Sequence, residues 1–349
     1  FPLSIPALIG TFFILFTKNL ADFGSAVIIG GRYSTLATEA YLTVIGEGNM
    51  PKAAAMTLLL ILPALLAFWL YRKILIKNLN LASDTKGSGL KNISFKLPFW
   101  LNTILGITAW LFFLIMFLQY SAIFFSGFYN YTSKGIEFTL EYLERFQLSA
   151  LRVFVRSIIY AFIAGIFSSI IGILISYYNK NRDNKFMQII EFLASLPYII
   201  PGTFFGLGYI LAFNRGIFTL TGTVAIVIVN CTFRQISIGA KAGDPILKLN
   251  PDIEKAAKDL GASKIRILLD IIFPVLKPAF LISFINCFIA TMTTIGAIIF
   301  LISPGTNVAT VVLFTHVAQG EYGLASITAL AITIVTFSLN IAVHRFLKK

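Results

Sequence analysis

The sequence is poor in the residues that build catalytic and metal sites. It contains two cysteines and two histidines among 349 residues. Cys231 and Cys287 stand alone in apolar segments, without the Cys or His neighbours that zinc or an iron–sulfur cluster needs. No Gly-x4-Gly-Lys-Ser/Thr loop for nucleotide phosphates occurs. These absences argue against a metalloenzyme and a nucleotide-hydrolysing enzyme, and they predict no catalytic residue, metal site or cofactor in this chain.

Hydrophobic residues are abundant instead. They form 57% of the chain, against 12% charged residues, which is more apolar surface than a soluble core of this size can bury. Eight apolar segments are about long enough to cross 30 Å of hydrocarbon. They lie near 3–20, 53–71, 99–120, 153–178, 187–213, 221–239, 278–300 and 323–344. The sequence therefore predicts an all-α, polytopic membrane helical bundle with about eight transmembrane helices.

The basic residues are concentrated in one set of connections between these segments. Twenty basic and seven acidic residues lie in this set, whereas the other connections carry six basic and seven acidic residues. The basic set comprises residues 72–99, 179–186, 234–277 and 345–349. Basic loops stay on the cytoplasmic side of a membrane. The net charge of +13 is therefore attributed to cytoplasmic loops of a multi-pass protein in membrane lipid, and not to nucleic-acid binding. The C-terminus belongs to the basic set and is predicted to be cytoplasmic.

An internal repeat relates the start of the chain to its end. Residues from Phe1 match those from Phe273 at a constant offset of 272. The shared residues include Pro2/Pro274, Pro6/Pro278, Gly24/Gly296, Ala37/Ala309 and Gly48/Gly320. We expect residues 1–75 to be the C-terminal part of a first repeat with two spans, 76–98 a cytoplasmic linker, and 99–349 a complete second repeat with six spans. Because the first copy has only two spans and opens on Phe1, we expect its earlier spans to be missing.

The segment 250–274 carries mixed charges and helix signals. Asn250 and Pro251 suit the start of a helix. Gly261 suits the left-handed position after its end, and Ser263 can cap a second helix. The segment is therefore predicted to form a helix, a turn and a second helix.

A narrow apolar stripe runs along the first of these helices. It comprises Ile253, Ala256, Ala257 and Leu260. Glu254 and Lys258 flank it as an i,i+4 pair of opposite charge. Small residues permit close approach of a partner's backbone, whereas the alternative is a surface helix lying on its own membrane domain.

At these residues the sequence resembles the permease subunits of binding-protein-dependent ABC importers. Ala256-Ala257, three residues, Gly261, nine residues, Ile271, one residue and Phe273-Pro274 are similar to the "EAA" loop of that family, Glu-Ala-Ala-x3-Gly-x9-Ile-x-Leu-Pro. Two departures occur. Lys255 stands where Glu is usual, with Glu254 one position earlier, and Phe273 replaces Leu.

The resemblance implies a MetI-like permease fold with an incomplete first repeat, in the bacterial inner membrane. It makes residues 240–275 a loop that couples transport to ATP hydrolysis. The residues implied in coupling are Glu254, Lys255, Ala256, Ala257, Gly261 and Pro274. The implied partners are a dimer of separate ABC ATPase subunits, which would hold ATP and Mg²⁺, and an extracytoplasmic solute-binding protein. The chain itself would be a transport subunit and not an enzyme.

The cargo implied by the resemblance is ferric iron. Ala21-Asp22-Phe23-Gly24 and the two-repeat layout resemble the ferric branch of the family, although thiamine and 2-aminoethylphosphonate permeases share that layout. A channel or an ion-coupled secondary transporter would also show repeats and broken helices, but it would not need an ATPase-docking loop.

Polar and helix-breaking residues inside the apolar segments are candidates for the lining of a pathway, because polar groups in hydrocarbon usually face a bundle interior. The candidates are Asn19, Asp22, Pro197, Pro201, Gly202, Asn286, Thr291 and Thr294, with Thr17, Lys18 and Thr293 beside them. Hydrogen bonds between helices are the alternative role for the polar residues, and a packing kink is the alternative at the prolines.

Overall fold

The computed structural model describes residues 5–83, 98–132, 135–179, 185–214, 219–249 and 253–348. Asn250 and Pro251, predicted to start a helix, and most of the 76–98 linker lie outside these residues. The described part is mainly helical, as predicted. It includes one short antiparallel hairpin that the sequence did not predict, in which Tyr129–Thr132 (β1) pairs with Gly135–Phe138 (β2).

The helices follow the predicted apolar segments. The first group comprises α1 Ile5–Leu20, α2 Gly24–Ile29, α3 Leu36–Glu47, α4 Met50–Ser83, α5 Phe99–Phe128, α6 Glu141–Ser149, α7 Leu151–Tyr178, α8 Lys185–Ile199 and α9 Gly202–Phe213. The second group comprises α10 Val224–Leu249, α11 Ile253–Asp259, α12 Lys264–Arg266, a π-helical turn Ile267–Ile272, α13 Phe273–Val275, α14 Lys277–Thr293, α15 Ile298–Leu301, α16 Ala309–Ala318 and α17 Tyr322–Lys348.

Five helical stretches in the described residues are long and apolar enough to cross a membrane. They are Met50–Leu70, Phe99–Phe128, Leu151–Tyr178, Val224–Gly243 and Tyr322–Leu347. Two sharply bent helix pairs raise the number to seven if each is one span. One of them bends by 107° between Pro197 and Gly202, where the sequence predicted an interrupted helix. The predicted first span is occupied by α1, which has 16 residues.

The internal repeat of the sequence has a counterpart in the structure. Helices α1 to α4 occur in the same order as α14 to α17, and the offset of 272 relates the first residue of α4, Met50, to the first residue of α17, Tyr322. Gly48 and Gly320, also related by this offset, both have left-handed backbones, with φ of 65° and 79°. The two copies therefore share backbone geometry as well as residue types.

Aromatic side chains join the two copies. Phe23 stacks on Tyr41 with ring centroids 4.9 Å apart. Both rings meet Phe314 of the second copy edge-on, at 6.2 and 6.1 Å. Phe23 is almost fully buried by these contacts. This packing fixes the chain segment after α1 against the second copy.

Helices α7 and α10 approach each other at glycines. A Cβ atom at Gly172 would lie 2.7 Å from the Ile236 carbonyl oxygen and 2.8 Å from the Gly239 Cα. Helix packing inside membranes depends on small residues, because backbones can then come into direct contact. This contact holds α10, which carries one side of the site described below.

Two segment boundaries predicted from the sequence are wrong. The sixth segment was predicted to end at residue 239, but α10 continues to Leu249. Its apolar stretch Val224–Gly243 includes Arg234 and Lys241, which were both counted with a basic connection. The seventh segment was predicted to continue to residue 300, but α14 ends at Thr293 and an irregular stretch follows. A window of apolar residues cannot locate such ends, since hydropathy does not depend on backbone conformation.

Candidate functional site

A polar cavity of about 320 Å³ lies where α1 and α14 end. Its lining comprises Thr17, Lys18, Asn19, Ala21, Asp22, Phe23, Ile200, Gly202, Arg234, Thr293, Thr294, Ile295 and Gly296. Three structural breaks contribute: the ends of α1 and α14, which are related by the repeat, and the bend between α8 and α9. Backbone and side-chain polar groups can therefore face a common space inside an otherwise apolar bundle.

The residues at the two helix ends occupy related positions. Asp22 and Thr294 are matched by the offset of 272 and both line the cavity. The Asp22 carboxylate accepts a hydrogen bond from the Ser25 backbone N–H at 3.3 Å. Thr294 accepts a hydrogen bond from Arg234 Nη1 at 3.3 Å. A pseudo-symmetric pair of helix ends thus presents one acid and one hydroxyl to the cavity.

Four of the eight predicted pathway residues line this cavity, namely Asn19, Asp22, Gly202 and Thr294. The other four are elsewhere. Asn286 is exposed on α14 and donates to the Ile282 carbonyl, and Thr291 is buried with its hydroxyl 4.0 Å from the Cys287 sulfur. Pro197 lies inside α8, and Pro201 is the buried residue before α9. The prolines therefore shape the bend without lining the cavity.

Arg234 is the main lining residue that the sequence reasoning missed. It is partly buried on α10, and its Nη1 atom approaches Gly202 so closely that a Cβ there would lie 3.0 Å away. Of the residues that the structure describes, none forms an ion pair with it, and its one hydrogen bond is to Thr294. The available signal was an arginine inside the predicted apolar segment 221–239, because such a residue usually faces a polar interior.

The predicted helix, turn and helix of the 250–274 segment is present from Ile253 onward. Gly261 has the predicted left-handed backbone, with φ of +81°. The Ser263 hydroxyl accepts a hydrogen bond from the Arg266 N–H at 3.4 Å, which confirms the predicted cap. The second helix includes the π-helical turn Ile267–Ile272, followed by Pro274 in α13. The π-helical turn was not predicted.

The apolar residues of α11 do not lie on one face, as the predicted stripe required. Ala257 is buried against Ile173, Ile267 and Leu276, whereas Ala256 and Leu260 are exposed, Leu260 to 88%. The alanine pair is therefore divided between a face that packs on α7 and the following turn and a face that is exposed. The side chain of Ile253 lies outside the described residues.

Polar contacts also attach α11 to the end of α7. The predicted pair of Glu254 and Lys258 is formed, with Nζ and Oε1 2.8 Å apart. The Tyr177 hydroxyl donates to the same carboxylate at 3.1 Å. Glu254, one position before the usual glutamate of the motif, thus joins α11 to a membrane-spanning helix, while Lys255 is exposed.

Residues 165–349 match the model of the family described as "binding-protein-dependent transport system inner membrane component". The chain belongs to this family. It is accordingly a multi-pass inner membrane component of a transport system. The match includes α10 and the 250–274 segment, and it begins within α7, so it covers the second repeat from residue 165 onward.

Individual relatives agree with this membership. The chain is 32% identical to the ferric transport system permease protein FbpB of Actinobacillus pleuropneumoniae, over 93% of this chain and 48% of that protein. A Haemophilus influenzae protein named as ferric permease FbpB 1 is 33% identical over 88% of this chain and 50% of its own length. The chain thus spans about half the length of these relatives.

The fold is similar to that of a bacterial alginate ABC transporter solved in complex with a periplasmic protein bound to an alginate pentasaccharide. The TM-score is 0.57 at 15% identity, over 70% of this chain and 92% of that chain. This similarity agrees with the predicted MetI-like permease fold. Among the described residues, no group of three or more His, Cys, Asp or Glu side chains could hold a metal ion.

Proposed function

We propose that the chain is part of the permease subunit of an ABC importer, and that the polar cavity belongs to its translocation pathway. The observation that carries the proposal is that both repeat-related helix ends and the α8–α9 bend open into one polar space. Transporters commonly bind their cargo at such breaks between repeats. Family membership supports the same function.

We propose further that the segment from α11 to Pro274 couples the permease to a separate dimer of ABC ATPase subunits, which binds ATP and Mg²⁺. The exposed face includes Ala256 and Leu260, whose apolar side chains suit contact with a partner, and Lys255 lies beside them. The opposite face, at Glu254 and Ala257, is attached to the membrane helices. A movement of the partner would therefore be transmitted to α7.

The orientation proposed from the basic connections places α11 and the C-terminus in the cytoplasm. Lys264→Cys and Pro304→Cys are suitable probes, since both positions are exposed and neither is a capping serine or a left-handed glycine. We expect an impermeant thiol reagent to label Pro304→Cys on intact cells and Lys264→Cys only after permeabilisation. Labelling of Lys264→Cys from outside would refute the orientation.

The proposed cargo is ferric iron delivered by an extracytoplasmic solute-binding protein. The support is the similarity of nearly the whole chain to permeases named for ferric transport. Ferric iron, a hard cation, requires several oxygen ligands together, whereas one carboxylate, Asp22, lines the cavity. Selection of iron is therefore assigned to the solute-binding protein and not to a high-affinity site in the permease.

Cargo identity is tested by uptake in vesicles that contain the full-length permease, its ATPase and the cognate solute-binding protein. Radiolabelled ferric iron, thiamine and 2-aminoethylphosphonate are supplied separately. We expect accumulation of iron alone. Accumulation of either organic compound without iron would refute the cargo and leave the permease function standing, whereas tight binding of iron by the purified permease would refute the assignment of selectivity.

A further inference from the structure

The charges that line the cavity are unusual for a cation pathway. Lys18 and Arg234 contribute two positive charges, and Asp22 contributes one negative charge, which already accepts a hydrogen bond from Ser25. A bare trivalent cation would be repelled by both basic groups at close range. The lining therefore favours a negatively charged ligand.

The guanidinium of Arg234 has the hydrogen-bond donors that are needed to bind an oxyanion. A guanidinium carries five N–H donors in a planar fork that matches carboxylate and phosphate oxygens. Within the described residues, one of these donors is used, by Thr294. Gly202 lets the guanidinium lie against the backbone at the start of α9, since an added Cβ would be only 3.0 Å from its Nη1 atom.

The start of α9 adds a second favourable group. This helix has 12 residues, and its first residue, Gly202, lines the cavity beside Arg234. The first backbone N–H groups of a helix have no partner in the helix, and the helix dipole is positive at this end. A helix start and a partly buried arginine directed at the same space together form a site for an anion.

We propose that the cavity binds an oxyanion through Arg234, Lys18 and the start of α9, and that iron crosses as a complex with an anionic oxygen ligand of the carboxylate or phosphate class. The inference rests on the proposed function. It adds the chemical form in which the cargo crosses the permease. The complex brings negative charge to a site where bare ferric iron would be repelled.

The test uses vesicles with the full-length permease, its ATPase and its solute-binding protein. The solute-binding protein is supplied with ⁵⁵Fe in the presence of ³²P-phosphate or ¹⁴C-citrate, and uptake of both labels is measured. We expect one of the labelled anions to enter in a fixed ratio to iron. Arg234→Gln should lower uptake about tenfold or more, because a charge-assisted hydrogen bond is lost, and Arg234→Lys should restore part of it. Arg152→Gln, which removes a positive charge outside the cavity, should leave uptake unchanged.

The outcomes separate the two proposals. Iron that enters without either anion, or at the wild-type rate in a stably folded Arg234→Gln variant, would overturn the oxyanion inference and leave iron transport standing. Phosphate or citrate that enters without iron, with the same dependence on Arg234, would support the anion site and overturn the ferric cargo. Thermal unfolding midpoints of the variants in detergent identify any loss of uptake caused by misfolding, and the Lys variant then decides the role of the charge.

Discussion

Replacement of Gly261 by valine is expected to weaken the stimulation of ATP hydrolysis by cargo, while the protein still inserts into the membrane. Gly261 has φ of +81°, and no atom lies within 4 Å of the position where a Cβ would be added. The cost therefore comes from the backbone alone, at about 1 kcal/mol or more for a β-branched residue. The turn would relax and change the direction of α11 relative to the second helix. We expect cargo-stimulated ATP hydrolysis to fall about tenfold.

Gly261→Asn is the matched control for this variant. Asparagine tolerates the left-handed region far better than valine, and the open space around Gly261 accepts either side chain. Stimulated hydrolysis should therefore survive in Gly261→Asn and be lost in Gly261→Val, with equal amounts of both proteins in the membrane. Equal hydrolysis in the two variants would show that the conformation of this turn does not transmit the signal.

Addition of one methyl group at Gly172 is expected to destabilise the bundle. The new Cβ would lie 2.7 Å from the Ile236 carbonyl oxygen, so α7 and α10 would have to separate. Overpacking of this kind costs about 1–3 kcal/mol. Because α10 carries Arg234, the separation should also distort the cavity. The thermal unfolding midpoint of Gly172→Ala in detergent should fall measurably below that of the parent protein.

Gly106→Ala is the matched control, and its thermal unfolding midpoint is not expected to fall. Gly106 lies inside α5, and nothing is within 4 Å of its added Cβ. Alanine favours a helix over glycine by about 0.8–1.0 kcal/mol in water. Gly106→Ala should therefore leave the midpoint unchanged or raise it. A similar decrease in both variants would contradict the close contact between α7 and α10.

The features that the sequence predicted well are those set by local interactions. The left-handed Gly261, the cap at Ser263 and the pair of Glu254 with Lys258 each depend on residues within four positions. The helices of the apolar segments were likewise predictable, because a backbone in hydrocarbon must form its hydrogen bonds internally. The interrupted helix near Pro201 could be predicted from two prolines and a glycine.

The features that could not be predicted depend on contacts between distant segments. Ala257 is buried because Ile173 of α7 and the π-helical turn lie against it, and no spacing within α11 indicates this. Arg234 was counted with the basic stretch 234–277, although it also lay in the predicted apolar segment 221–239, because the sequence does not show that Thr294 and Gly202 surround it in the cavity. Thr291 and Asn286 are suitably polar, but they lie on other faces of α14.

The central claim is that this chain belongs to a permease driven by ATP hydrolysis on a partner. The most direct measurement is iron uptake into vesicles that contain the full-length permease and its ATPase, with and without internal ATP and with and without the solute-binding protein. We predict accumulation only when ATP and the solute-binding protein are both present, with no effect of collapsing the proton and sodium gradients. Accumulation without ATP that disappears when an ion gradient is collapsed would contradict the account and indicate an ion-coupled secondary transporter.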